Sequence, residues 1–148
     1  MSRGPVEKPA ERTPIETLTA FFAALCDWER EAYRQAQQAE RAGQPLDVDS
    51  LRQGREAILA EFCTRRRRVY SRVVCYGPSP EYDPDEEEIL EVKLESDRRV
   101  VVLTRQRTRL GLRRRFVLLR GSAGCRIMHP GRGGSFICFN RAGRRRWT

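Results

Sequence analysis

Residues 81–88, Glu-Tyr-Asp-Pro-Asp-Glu-Glu-Glu, hold six of the twenty acids of this 148-residue chain. Carboxylates at that density could bind a cation, imitate nucleic-acid phosphates toward a basic partner, or form a solvated loop. The glycine and the ligand spacing of a calcium loop are missing, so partner recognition and plain solvation remain. His129 is the only histidine. As a general base it would need an orienting carboxylate, and residues 98–148 contain no acid. Gly131-Arg132-Gly133-Gly134 could cradle phosphate, but no helix start follows it, so it reads as a hairpin turn. The five cysteines (26, 63, 75, 125, 138) include no C-x-x-C pair. With one histidine and no export signal they make neither a zinc site nor a disulfide framework, and five reduced, mostly buried thiols are expected. No metal, no cofactor and no enzyme chemistry is expected.

The bases form the second candidate set. The formal net charge is +9, but residues 1–64 carry eight bases against eleven acids, residues 65–97 six against nine, and residues 98–148 fifteen against none. A one-signed surface steers oppositely charged molecules. Arg105, Arg107, Arg109, Arg113, Arg114 and Arg115 could line up as a phosphate track. Of the 29 bases 27 are arginine, a bias that a GC-rich genome produces whatever the function, so charge alone does not decide between a working basic face and a solvated one.

Elements that would carry these residues follow from periodicity. Residues 1–12 read as a mobile tail, and residues 13–148 as one domain. Thr13-Pro14-Ile15-Glu16 is a helix start, with Thr13 capping and Pro14 at the first helical position. Ile15, Leu18, Phe21, Phe22, Leu25, Trp28 and Ala32 draw one apolar stripe to a stop at Gly43. A second helix, capped by Asp47 or Asp49, buries Leu51, Ile58, Leu59 and Phe62 and ends near Cys63, with Arg65 to Arg68 at its negative end. From residue 69 the period becomes two: strands are expected at 69–76, 90–94, 100–104, 115–120, 125–128 and 135–140, and residues 105–112 as a basic connection. In the first of the three central strands Leu90, Val92 and Leu94 should form a buried face. No helix separates the strands, so the sheet is antiparallel and the architecture α+β, with N-terminal helices on a curved sheet. No apolar run approaches the ~20 residues that span a bilayer, and residues 1–14 lack the apolar core of a secretory signal, so a cytoplasmic protein is expected.

In this order the elements resemble a family, the bacterial polymorphic-toxin immunity proteins with the nuclear transport factor 2 fold. The likeness begins in Thr13-Pro14-Ile15-Glu16 and Trp28-Glu29-Arg30-Glu31-Ala32-Tyr33. It is nearest in Pro80-Glu81-Tyr82-Asp83-Pro84-Asp85-Glu86-Glu87-Glu88-Ile89, which resembles the family's P-x-Y-x-P stretch with trailing acids. It continues through residues 100–106 and 115–120, and departs at Gly124-Cys125, where such folds commonly read glycine-x-tryptophan. The resemblance implies a cone-shaped, cystatin-like α+β fold and a non-enzymatic inhibitor that occludes a co-encoded toxin domain. The recognition residues then expected are Tyr82, Asp83, Asp85, Glu86, Glu87 and Glu88, with Arg105, Arg107, Arg109, Arg113 and Arg114 as a second surface. Two alternatives stay open: a nucleic-acid-binding module on the arginine track, not favoured, and a ligand-binding or lyase member of the fold using His129 inside the cone. No sequence pattern decides whether the chain forms a homodimer.

Overall fold

The computed structural model describes residues 12–64, 76–107, 111–122 and 124–128, together with the backbone of 137–139. Helix α1 (Pro14–Ala42) starts as the sequence predicts: the Thr13 hydroxyl accepts from the Glu16 N–H at 3.2 Å, and Pro14 occupies the first turn. It stops at Gly43, whose φ of 62° is left-handed and favours a residue without Cβ. The Gly43 N–H then bonds back to the Glu40 carbonyl at 3.2 Å. Helix α2 (Val48–Phe62) is capped by Asp47, which accepts from the Ser50 N–H at 3.1 Å; the alternative cap, Asp49, instead pairs with Arg52. The two helices meet at Trp28. Its indole N–H donates to the Leu51 carbonyl at 2.8 Å, and a Cβ on Gly54 would press on the ring at 3.4 Å. Gly54 thus sits against the indole inside a helix, where glycine costs about 1 kcal/mol of propensity.

Strands β1 (Glu87–Leu94), β2 (Arg99–Gln106), β3 (Arg113–Gly121) and β4 (Gly124–Ile127) pair antiparallel in that order, and β5 (Ile137–Phe139) pairs with β3 beyond the end of β4. The chain turns at Ser96 between β1 and β2, where the Glu95 N–H reaches the Arg99 carbonyl at 2.9 Å. Cys63 bridges in parallel to Ile127, tying the end of α2 to β4. Arg126 reaches over from β4 to the last carbonyls of α2, Ala60 at 3.2 Å and Cys63 at 3.3 Å, and so serves the helix's negative end. The expected role of Arg65 to Arg68 there falls outside the described residues, as do residues 1–11, most of the expected strand at 69–76, and His129 with the glycine-rich turn after it.

One face of β2, β3 and β4 takes the helices. Val100, Val102, Phe116, Leu118 and Ile127 pack there against Leu18, Phe21, Phe22, Leu25 and Phe62. Two sequence expectations need correction. Leu90, Val92 and Leu94 are exposed, Leu94 to 59%: Val92 and Leu94 stand opposite Val102 and Val100 on the face that takes the helices, but the helices leave that end of the edge strand uncovered, and among the described apolar residues of β1 it is Ile89 that packs on the core. The supposed connection at 105–112 is also shorter than expected. β2 runs on through Gln106 and β3 begins at Arg113, because Arg105, Gln106, Arg113 and Arg114 all find partners within the sheet or beneath it.

Candidate partner-binding site

The acidic segment is anchored at both ends of its turn. The Asp83 carboxylate accepts from the Asp85 N–H at 3.0 Å, and its carbonyl accepts from the N–H groups of Glu86 and Glu87, each at 3.0 Å. An aspartate turn of this kind sets the direction in which β1 leaves. Helix α1 holds the segment from below: the Glu29 carboxylate accepts from the Glu81 N–H at 2.6 Å, and the Arg30 guanidinium stands 3.6 Å from the Asp83 carboxylate. On the other side the Arg107 N–H donates to the Glu86 carbonyl at 2.7 Å.

Strand alternation then splits the run of acids. Glu87 faces the helices and Glu88 the opposite side. The Glu87 carboxylate, 2% exposed, is hydrogen-bonded to the guanidinium of Arg114, which is fully buried. Arg114 also lies 3.4 Å from the Glu81 carbonyl and 4.4 Å above the Tyr82 ring. Tyr82 in turn stacks on Phe22 at 5.8 Å and leans on Phe21. Burial pushes the Glu87 carboxyl above its ordinary value, with Arg114 pulling the other way. Burial likewise raises the Tyr82 hydroxyl, helped by Glu81. The Thr104 hydroxyl stands near enough to draw the Glu87 carboxyl down yet closes no hydrogen bond with proper geometry.

On the outer face Glu88 takes Arg105 at 2.7 Å, and this hydrogen bond holds the Glu88 carboxyl below its ordinary value. Further along, Glu95 takes Arg99 at 2.7 Å and approaches Arg115 at 3.8 Å. Glu88 of β1 and Glu95 in the turn after it thus pair with Arg105, Arg99 and Arg115, so that among the described arginines of the expected phosphate track Arg105 and Arg115 face acids here and Arg114 faces Glu87. Arg107 is exposed, Arg113 sits opposite Arg105 in the ladder, and Arg109 lies outside the described residues.

Beside the acidic turn is a cleft of about 390 Å³ lined by Arg30, Glu81, Asp83, Glu86, Glu87 and Gln106, with Pro78, Ser79 and Pro80 at its rim. The expected recognition residues therefore divide. Asp83, Asp85, Glu86 and Glu88 reach surface or cleft, whereas Tyr82 and Arg114 are used inside the chain, and Glu87 shows only its edge to the cleft. Burial is the physical reason: a guanidinium with no exposed surface cannot meet a partner without rearrangement. Sequence reasoning missed Glu29, Arg30 and Gln106. Glu29 and Arg30 stand one and two positions past the apolar Trp28, on the flank of the helical stripe, and that was the available signal. Gln106 follows the alternation Val100, Val102, Thr104 onto the buried face, a polar end to an apolar row.

Between helices and sheet the space is filled by Phe21, Phe22, Phe62, Phe116 and Leu118. Cys26 and Cys63 are buried free thiols and Cys125 a half-buried one; burial pushes the Cys26 thiol up. No helix among the described residues is long and apolar enough to cross a membrane.

Compared with known families, residues 13–133 match the model described as NTF2 fold immunity protein. Neither a curated protein nor a solved structure matches the chain.

Proposed function

The chain belongs to the NTF2 fold immunity proteins, and from that premise we propose that it binds a toxin domain encoded beside it and neutralises that domain by covering its working surface, without catalysis. Family membership supports the immunity role in general. The observation that carries the finer reading is the acidic turn, whose backbone is fixed by Asp83 and by Glu29 of α1 while Asp85 and Glu86 keep accessible carboxylates. A surface ordered before binding loses little entropy on docking, and an acidic one speeds association with a basic partner. Occlusion asks for nothing more than such a surface.

The mixed-charge face of Glu88, Arg105 and Arg107 is the second contact surface in this reading. Its acids and bases are interleaved, which suits register with a protein better than a run of phosphates. The reading places the protein in the bacterial cytoplasm with its toxin.

The test is co-expression with the C-terminal domain of the gene immediately upstream. Restored growth together with co-purification of the two chains is the expected result. Toxicity undiminished by this protein, or a harmless neighbour, overturns the reading. Binding to nucleic acid with a steep salt dependence would then be the result to look for.

A further inference from the structure

Two buried oxygens on residues that line the acidic cleft carry more information than its charge. Gln106 is 6% exposed and Glu87 8%, both residues line the cleft, and among the described residues neither Gln106 Oε1 nor Glu87 Oε2 has a hydrogen-bond partner. A buried acceptor left without a donor is a cost that folded chains rarely tolerate. The amide oxygen accepts and cannot donate, and the carboxylate in its ionised form offers only lone pairs. The charge around them has the same sign. Glu81, Asp83, Glu86 and Glu87 line the cleft against one lining base, Arg30, which is already 3.6 Å from Asp83. Arg114 lies behind Glu87 on its other oxygen and favours the ionised form, while the Thr104 hydroxyl stands near the carboxylate without closing a hydrogen bond.

What fits is a compact cation bearing several N–H groups in a plane. We propose that the cleft is a guanidinium site, filled in the complex by an arginine side chain of the toxin domain. A guanidinium has five donors in a fixed fork, enough to meet the Glu86 carboxylate at the cleft surface and, once the Gln106 side chain turns toward the cleft, its Oε1 as well. The partner half of this proposal rests on the immunity reading above; the chemistry of the cleft does not. Gln106 is the residue that tells a binding role from a structural one. Its side chain makes only a long contact, 3.5 Å, to the Glu81 carbonyl, so leucine there removes an unmatched acceptor and leaves the fold at least as stable.

The first arm titrates the full chain with N-acetyl-L-arginine amide at constant ionic strength, following amide resonances of residues 81–87 and the Gln106 side chain. Saturable shifts are expected, absent in Gln106→Leu and weakened in Glu86→Gln, which changes a half-exposed side chain and carries little risk to folding. Shifts that do not saturate, or that persist in both variants, overturn the site. The second arm repeats toxin rescue and measures affinity. Wild-type rescue with at least a tenfold loss of affinity in Gln106→Leu supports the partner's arginine. Rescue and affinity unchanged in both variants overturn it while leaving the immunity reading intact. Absence of rescue by the wild type, with saturable binding of the arginine amide, overturns the immunity reading and with it the partner, and leaves a guanidinium site whose ligand is free in solution.

Discussion

Glu87 and Glu88 are consecutive residues of one strand, each paired with an arginine, and the two pairs obey opposite physics. Glu87 and Arg114 meet on the helix-facing side, where both side chains have lost their water. Glu88 and Arg105 meet on the outer side with 37% and 43% of their side chains exposed. In the buried pair, desolvation is the leading effect on the carboxyl; in the exposed pair, the hydrogen bond is. The lesson concerns the acidic run as a whole. A stretch that looks uniform in composition is cut by strand alternation into a structural half, which fixes the sheet end to Tyr82 and the helices, and a half that faces solvent and any partner. Charge density alone therefore says little about which acid does what.

The largest effect should come from unpairing the buried side. Arg114→Met removes the only cation touching Glu87 among the described residues and leaves a desolvated carboxylate, which costs about 3–5 kcal/mol. Replacing both partners, Arg114→Met with Glu87→Leu, should recover most of that loss in urea unfolding, because a matched apolar pair carries no unpaired charge. Equal loss in the single and double variants would mean that the pair's worth lies in its contacts to Tyr82 and Glu81 and not in charge pairing, and the contrast between the faces would have to be redrawn.

A smaller loss is expected where the buried pair is braced. Tyr82→Leu keeps an apolar side chain but gives up the stack on Phe22 and the ring beneath Arg114, together about 2 kcal/mol. The same substitution should leave the Glu88–Arg105 pair unmoved, since Tyr82 faces away from it. A loss as large as that of Arg114→Met would show Tyr82 to be the keystone of the cluster, with the ion pair secondary.

These three residues also mark the limit of what the sequence disclosed. Both helices, their caps at Thr13 and Asp47, the stop at Gly43 and the antiparallel order of the sheet follow from local chemistry: a hydroxyl or carboxylate three residues before an N–H, a glycine where φ must be positive, alternation without intervening helices. The division of the acidic run depends instead on where β1 begins and which residue faces β2. A one-residue difference there exchanges the faces, and nothing in Glu86-Glu87-Glu88 distinguishes the three. Arg114 was equally hidden among Arg113 and Arg115, because its burial comes from Glu87, 27 positions away. The edge strand defeated the opposite inference. Leu90, Val92 and Leu94 alternate as a buried face should, yet the helices lie over β2 to β4 and leave that end of the edge strand uncovered.

The least change in stability should follow Glu88→Gln, which removes an exposed charge that salt already screens; its value is in the sign of a pH dependence. The folded-state value of Glu87 lies above the ordinary 4.5, so between the two values the folded chain binds more protons than the unfolded one. As pH falls from neutral through that window, Glu87 should therefore add stability, an increase complete by the ordinary value. Glu88 lies below 4.5, so its contribution is present above that value and is lost as pH falls through its lowered one. Urea unfolding followed from pH 7 to pH 3 should accordingly give a curve that first rises and then declines. Glu87→Gln should flatten the upper limb and Glu88→Gln should soften the lower one, each leaving the other limb in place. If Glu87→Gln leaves the upper limb unchanged, the buried carboxylate is not desolvated in solution, and the two neighbours would have the same chemistry after all.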